Sequence, residues 1–240
     1  MIGIDYDEKK NRLIVILKGF PCSWGRCIFC QFSRESTTNL EELLNTDLQI
    51  IKEISEFSAG HKVERLSIFN GGSFFELPLY VIQQLATVTK DRYIDIESLP
   101  HFIQEQTVKS AFNLLQPSTL EIRLGLESSD ESIRRMLRKG VTELEIARVS
   151  KLRESIRHSM GERIRFVAYV LFGMEGISEE SVIESVHSFK QLFDGVIAIR
   201  YRRYNSKMPN AQPVTYRLMS FLSKNCLDVD MTEGKSWEID

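Results

Sequence analysis

The sequence predicts an α/β fold, a partial (β/α)6 TIM-type barrel of parallel strands with outer helices. Two observations carry it: short aliphatic runs recur six times, and segments with helical period and helix-start signals separate them. The runs are residues 13–17, 63–69, 93–96, 120–126, 164–172 and 196–201. The first, LIVIL, is β-branched and unbroken, as expected of a strand covered on both faces. Dividing the 240 residues by six gives about 40 per unit, slightly more than a complete eight-unit barrel of about 250 residues uses. An open six-stranded doubly wound sheet fits the same alternation. In both architectures the loops leaving the C-terminal strand ends are where a site belongs.

The helix starts are legible residue by residue. Ser128 with Glu131, and Thr142 with Glu145, have capping-box spacing, and Gly140 stops the first of these helices. Val141 and Ile146 flank the second start as a hydrophobic staple. Ser178 caps a third helix between Ile177 and Val182, and Gly195 ends it. No internal repeat or Pro/Ser-rich linker divides the chain, so residues 1–240 read as one domain. Within it, a loop spans about 20–32 and a C-terminal tail about 205–240.

Composition narrows the function classes. The chain is 42% apolar and 27% charged, the profile of a folded domain rather than a disordered or fibrous one. With 31 Lys and Arg against 33 Asp and Glu, no global field recruits nucleic acid or anionic membrane. The first twelve residues hold Asp5, Asp7 and Glu8 and no apolar run, and the longest aliphatic run is far short of a spanning helix of about 20 residues. The expectation is a soluble cytoplasmic protein without a membrane partner. A fold of this size buries a core without staples, so its four cysteines are free for chemistry.

Three of them, Cys22, Cys27 and Cys30, lie directly after the first strand, on the first βα loop. Three close thiolates with no fourth ligand nearby suit an iron-sulfur cluster that leaves one iron open to a ligand. A closed structural site needs four ligands, and the nearest histidine in sequence is His61. The competing arrangement is a zinc or four-cysteine site completed by Cys226, which the fold would have to bring across a gap of 196 residues.

The triad, followed by the rest of the chain from about Gly19 to Tyr204, resembles the radical S-adenosylmethionine (SAM) superfamily. Phe29 keeps the family's aromatic before the last cysteine. Four residues, 23–26, separate the first two cysteines where three are commonest. The resemblance implies a 4Fe-4S cluster on Cys22, Cys27 and Cys30, with SAM chelated at the open iron and cleaved by one electron. Asn70, Gly71, Gly72 and Ser73 end the second strand where the family has a Gly-Gly-Glu-like turn against SAM. Glycine there permits close backbone approach; a plain turn is the alternative. Leu124 to Ser128 resembles a family segment that presents a polar side chain, here Glu127, to SAM; a helix-capping role is its alternative. Glu97 or Ser98, leaving the third strand, and Arg123, whose fork suits a carboxylate, complete the implied SAM contacts, unless Arg123 forms a structural pair with Glu121 or another acid. The phrases NGGSFF, IESLP and GLESSDESIRRMLRKG are similar to the archaeosine synthase and elongator-related group, which modifies tRNA bases. That resemblance implies tRNA as a partner, a lyase or transferase reaction, a flavodoxin- or ferredoxin-type electron donor, and a partner subunit or second copy closing the open barrel; a small metabolite, amino acid or peptide in a biosynthetic pathway is the alternative substrate.

Two further candidates come from the residues themselves. The run Arg200 to Asn205 interleaves three arginines with two tyrosines, suited to phosphate and base stacking, and Arg202 is its candidate catalytic residue. An ordinary solvated strand exit fits the same run. His101, after the third strand, is the candidate proton-transfer or orienting histidine.

Overall fold

The computed structural model describes residues 2–32 and 36–231. Its strands are β1 (Gly3–Asp7), β2 (Arg12–Ile16), β3 (Arg65–Phe69), β4 (Tyr93–Ser98), β5 (Thr119–Glu127), β6 (Ile164–Phe172), β7 (Gly195–Arg200) and β8 (Asp228–Asp230). They form one eight-stranded sheet in sequence order, antiparallel between β1 and β2 and parallel from β2 to β8. The six expected strands are β2 to β7. Outer helices connect them: α1 (Leu40–Gly60), α2 (Leu79–Thr89), α3 (Glu105–Leu115), the pair α4 (Glu131–Met136) and α5 (Glu143–Met160), then α6 (Glu179–Leu192) and α7 (Tyr216–Asn225). The partial barrel is therefore observed, with β1 and β8 as added edges. Lys10, in the turn after β1, reaches Asp228 at the start of β8 at 2.8 Å, clasping the two edges at the N-terminal end of the strands.

Period-2 alternation divides each strand between two environments. Leu66, Ile68, Ile94, Ile96, Leu120, Ile122 and Leu124 are fully buried in one apolar core between sheet and helices. Their neighbours Ser67, Asp95, Glu121, Arg123 and Tyr169 line the barrel interior instead. The runs read as uniformly apolar thus conceal a polar lumen.

Several boundaries differ from expectation. The strand expected at 93–96 runs to Ser98, so Glu97 and Ser98 are strand residues. Asp130, not Ser128, caps α4 by accepting from Ser132 N, because the hydroxyl of Ser128 accepts from Asp130 N and meets Ser185. That helix ends at Met136, before Gly140. The box at Thr142 and Glu145 and the cap at Ser178 are present. α6 stops at Leu192, and Gly195 opens β7. The segment after 205 contains α7 and β8, although its residues 232–240 lie outside the described residues. No helix among the described residues is long and apolar enough to cross a membrane.

Candidate active site

The C-terminal strand ends assemble the mouth of the barrel. The cysteine loop leaves β2, and hydrogen bonds to two other segments hold it. Ser23 N donates to Glu76 Oε1 at 2.8 Å, Trp24 Nε1 to the Arg138 carbonyl at 2.7 Å, and Ile28 N to the Leu137 carbonyl at 3.1 Å. Glu76 also accepts from Ser73 N at 2.7 Å, so one carboxylate ties the loop to the Asn70–Ser73 turn. The Ser73 and Glu76 spacing is a capping box, a signal present in the sequence that was not read there. Gly72 is required by packing: a Cβ there would lie 2.7 Å from Glu76 Oε2 and 3.2 Å from Cys22 Cα. Gly140 serves a similar contact rather than stopping a helix, since the Trp24 ring lies 2.4 Å from where its Cβ would be.

All four cysteines are free of disulfides. Burial pushes the Cys27 thiol up to about 11, against the pull of Lys139, and raises Cys30 as well. The interactions of Cys27 and Cys30 with each other and with Cys22 contribute to both shifts. Among the described residues no three His, Cys, Asp or Glu side chains converge on a single ion. In a cubane each thiolate binds its own iron, so the three sulfurs need to share a loop rather than a point, and the donor set suits it. Cys226 cannot complete a closed site. It follows α7 and precedes β8, at the N-terminal end of a parallel sheet whose C-terminal end carries the triad.

Beside the loop, Glu127 is buried at the end of β5 and pairs with Lys139 at 2.9 Å. A register shift between Leu124 and Glu127 and a left-handed φ of 70° at Glu127 turn this side chain toward the mouth. Burial works against the Lys139 ammonium, but Glu127, Cys27 and Cys30 outweigh it and keep its pKa above the ordinary lysine value. Lys139 went unread because it lies beyond α4 and only the turn through Arg138, at φ 52°, brings it back. On the opposite side, Asn205 donates to Gln31 at 3.1 Å, bringing the segment after β7 onto the cysteine loop. Within that segment the Tyr204 hydroxyl meets Arg202 and feels Cys30, while Arg200 donates to the Gln212 carbonyl and Arg203 to those of Ser206 and Met208.

The other expected residues lie at the turn after β3, in the lumen and on the turn after β4. Ser98 is buried, and its hydroxyl meets that of Ser73 at 2.9 Å. Asn70 is buried and donates to the Ser73 carbonyl at 3.3 Å; Gly71 packs against the Phe32 carbonyl. Arg123 belongs to the lumen floor. It bridges Asp95 at 3.0 Å and Glu121 at 3.1 Å and donates to Tyr169, the structural pairing. Glu97 points into the lumen and accepts from Tyr169 at 2.7 Å. His101 is exposed on the turn Pro100–Phe102 with its ring against Phe102, and no contact among the described residues ties it to the cysteine loop.

No family model matches the chain. In an alignment of 190 positions that covers 72% of the chain, it is 25% identical to archaeosine synthase subunit beta of Methanosarcina acetivorans, and it spans about half of that relative, 53%. Its fold matches a queuine lyase from Clostridium spiroforme bound to SAM and queuine with a TM-score of 0.69 at 20% identity, covering 93% of this chain and 89% of that one. It matches coproporphyrinogen III oxidase from Escherichia coli, described as a radical SAM enzyme, with a TM-score of 0.61 at 16% identity, covering 88% and 52%. The chain is thus similar in sequence to archaeosine synthase subunit beta and in fold to enzymes such as coproporphyrinogen III oxidase, described as a radical SAM enzyme.

Proposed function

We propose that the chain is a radical SAM enzyme which, with a 4Fe-4S cluster held by Cys22, Cys27 and Cys30, reductively cleaves SAM to methionine and a 5′-deoxyadenosyl radical that takes hydrogen from a nucleobase-class substrate. The observation that carries this reading is the locking of the three-thiol loop against Gly72 at the barrel mouth. The substrate class rests on the two similar proteins named for modified bases, archaeosine and queuine.

The residues divide the work. The turn Asn70 to Ser73, fixed by Glu76 and Ser98, offers backbone groups to the methionine end of SAM. Glu127 and Lys139 supply an acceptor and a donor at the same rim. The Arg202 and Tyr204 pair lies within reach of Cys30 on the segment after β7 and would contact a bound substrate. The cofactor, when bound, would carry the chemistry, and these residues would hold and orient it.

The test is 5′-deoxyadenosine formation from SAM by anaerobically reconstituted protein with a strong reductant. Wild type is expected to form it, and Cys27→Ala to lose both iron and product. No product from wild type carrying an intact cluster, with tRNA and free bases supplied, would overturn the reading in favour of a noncatalytic iron-sulfur protein.

A further inference from the structure

The lumen carries a carboxylate that the floor does not use. Asp95 and Glu121, at 0% and 2% exposure, are ion-paired with Arg12, Arg65, Arg123 and Arg165, with Tyr93 donating to Glu121. Glu97 stands above this floor and remains solvent-accessible despite its depth. Tyr169 fixes Oε1, and Arg123 donates to the same Tyr169 hydroxyl from below at 3.3 Å. No other protein group among the described residues hydrogen-bonds or ion-pairs with the Glu97 carboxylate. The walls beside Tyr169 are apolar, formed by Val167, Ile197 and Ile199. Ser98, the next residue, bonds to the Ser73 turn, so the two adjacent side chains serve different parts of the site.

A carboxylate offers about four acceptor positions, and only one of those on Glu97 is met by a protein hydrogen bond, from Tyr169. The ligand group that suits the others has two adjacent N–H donors, which meet a carboxylate bidentately. We propose that Glu97 is the specificity-determining residue of the substrate site and reads a paired N–H edge, oriented for it by Tyr169 and Arg123. Among nucleobases, guanine-type rings present such an edge, with a ring N–H beside an amino group, whereas adenine-type rings place an acceptor there. The choice of a base rests on the proposed function; the donor-edge requirement rests on the lumen alone.

The experiment titrates protein loaded with cluster and SAM, by calorimetry, with 7-deazaguanine, 7-deazahypoxanthine, 7-deazaadenine and benzamidine. Wild type is expected to bind 7-deazaguanine at least about tenfold more tightly than the other two bases, and Glu97→Gln to erase the difference. Tyr169→Phe, which loses only the orienting hydroxyl, is expected to shrink it. Bases that bind wild type without this preference, or a preference retained in Glu97→Gln, would overturn the role of Glu97 and leave the nucleobase reading standing. Benzamidine binding that depends on Glu97, with no base bound, would keep the donor-edge role and remove the nucleobase. Binding of none of the four would remove both.

Discussion

The floor and the mouth of the barrel are built from similar residues and behave oppositely. In the floor, four arginines surround Asp95 and Glu121. Burial would push the Asp95 carboxyl up, yet Arg123, Arg65 and Arg12 hold it below the ordinary carboxylate range. At the mouth, three thiols sit on a loop fixed by hydrogen bonds from other segments. Groups that neutralise one another build a support, whereas groups held apart by the backbone stay open to a ligand. Buried ionic networks are destabilised by losing one member more than they stabilise when whole, so the floor is the sensitive half for folding.

The largest effect expected is therefore on the floor. Asp95→Ala leaves Arg123 and its neighbours buried without a counter-ion, and urea denaturation should show a loss of about 3–5 kcal/mol. A loss under about 1 kcal/mol would break the contrast between the two ends.

Next is Asp47, buried on α1, whose Oδ1 accepts from Lys18 N just before the cysteine loop. Burial pushes this carboxyl from 3.8 up to about 7, against the backbone bond from Lys18 and the Lys18 charge. The folded state then binds the proton more tightly than the unfolded state, so this group's contribution to stability falls as pH rises from about 4 to 7, by up to about 4 kcal/mol, and is flat above that. Asp47→Asn should flatten this part of the stability profile; an unchanged profile would refute the assignment.

At the mouth, Gly72→Ala should cost about 1–3 kcal/mol and, more tellingly, reduce iron retained per folded chain, because the added Cβ displaces Cys22 or Glu76. Normal iron content would show that the turn does not support the loop. Glu76→Gln keeps an acceptor but weakens both backbone bonds, for about 1 kcal/mol by thermal unfolding. Cys226→Ala is the smallest change expected: iron should be retained, and its loss would return the closed four-cysteine site to consideration.

Much of the mouth was legible because its chemistry is local. Cys22, Cys27 and Cys30 are close in sequence, and Asn70 to Ser73 directly follows an aliphatic run. Glu127 ends a strand that its run marks, and the six parallel strands follow from runs whose outward residues are all apolar. For Arg123, Glu97 and His101 less was legible, for one reason: position near a strand exit says which end of the barrel a residue occupies, but not what its side chain meets.

The sequence by itself determined the alternation of strands and helices, the cysteine loop and the turn beside it, since each is encoded within about a dozen residues. The tertiary structure decided the polar floor, the Glu127–Lys139 pair, the Glu76 strap and the placing of Glu97 beneath the mouth. These arise between strands distant in sequence, where curvature and register bring side chains together that no local pattern relates.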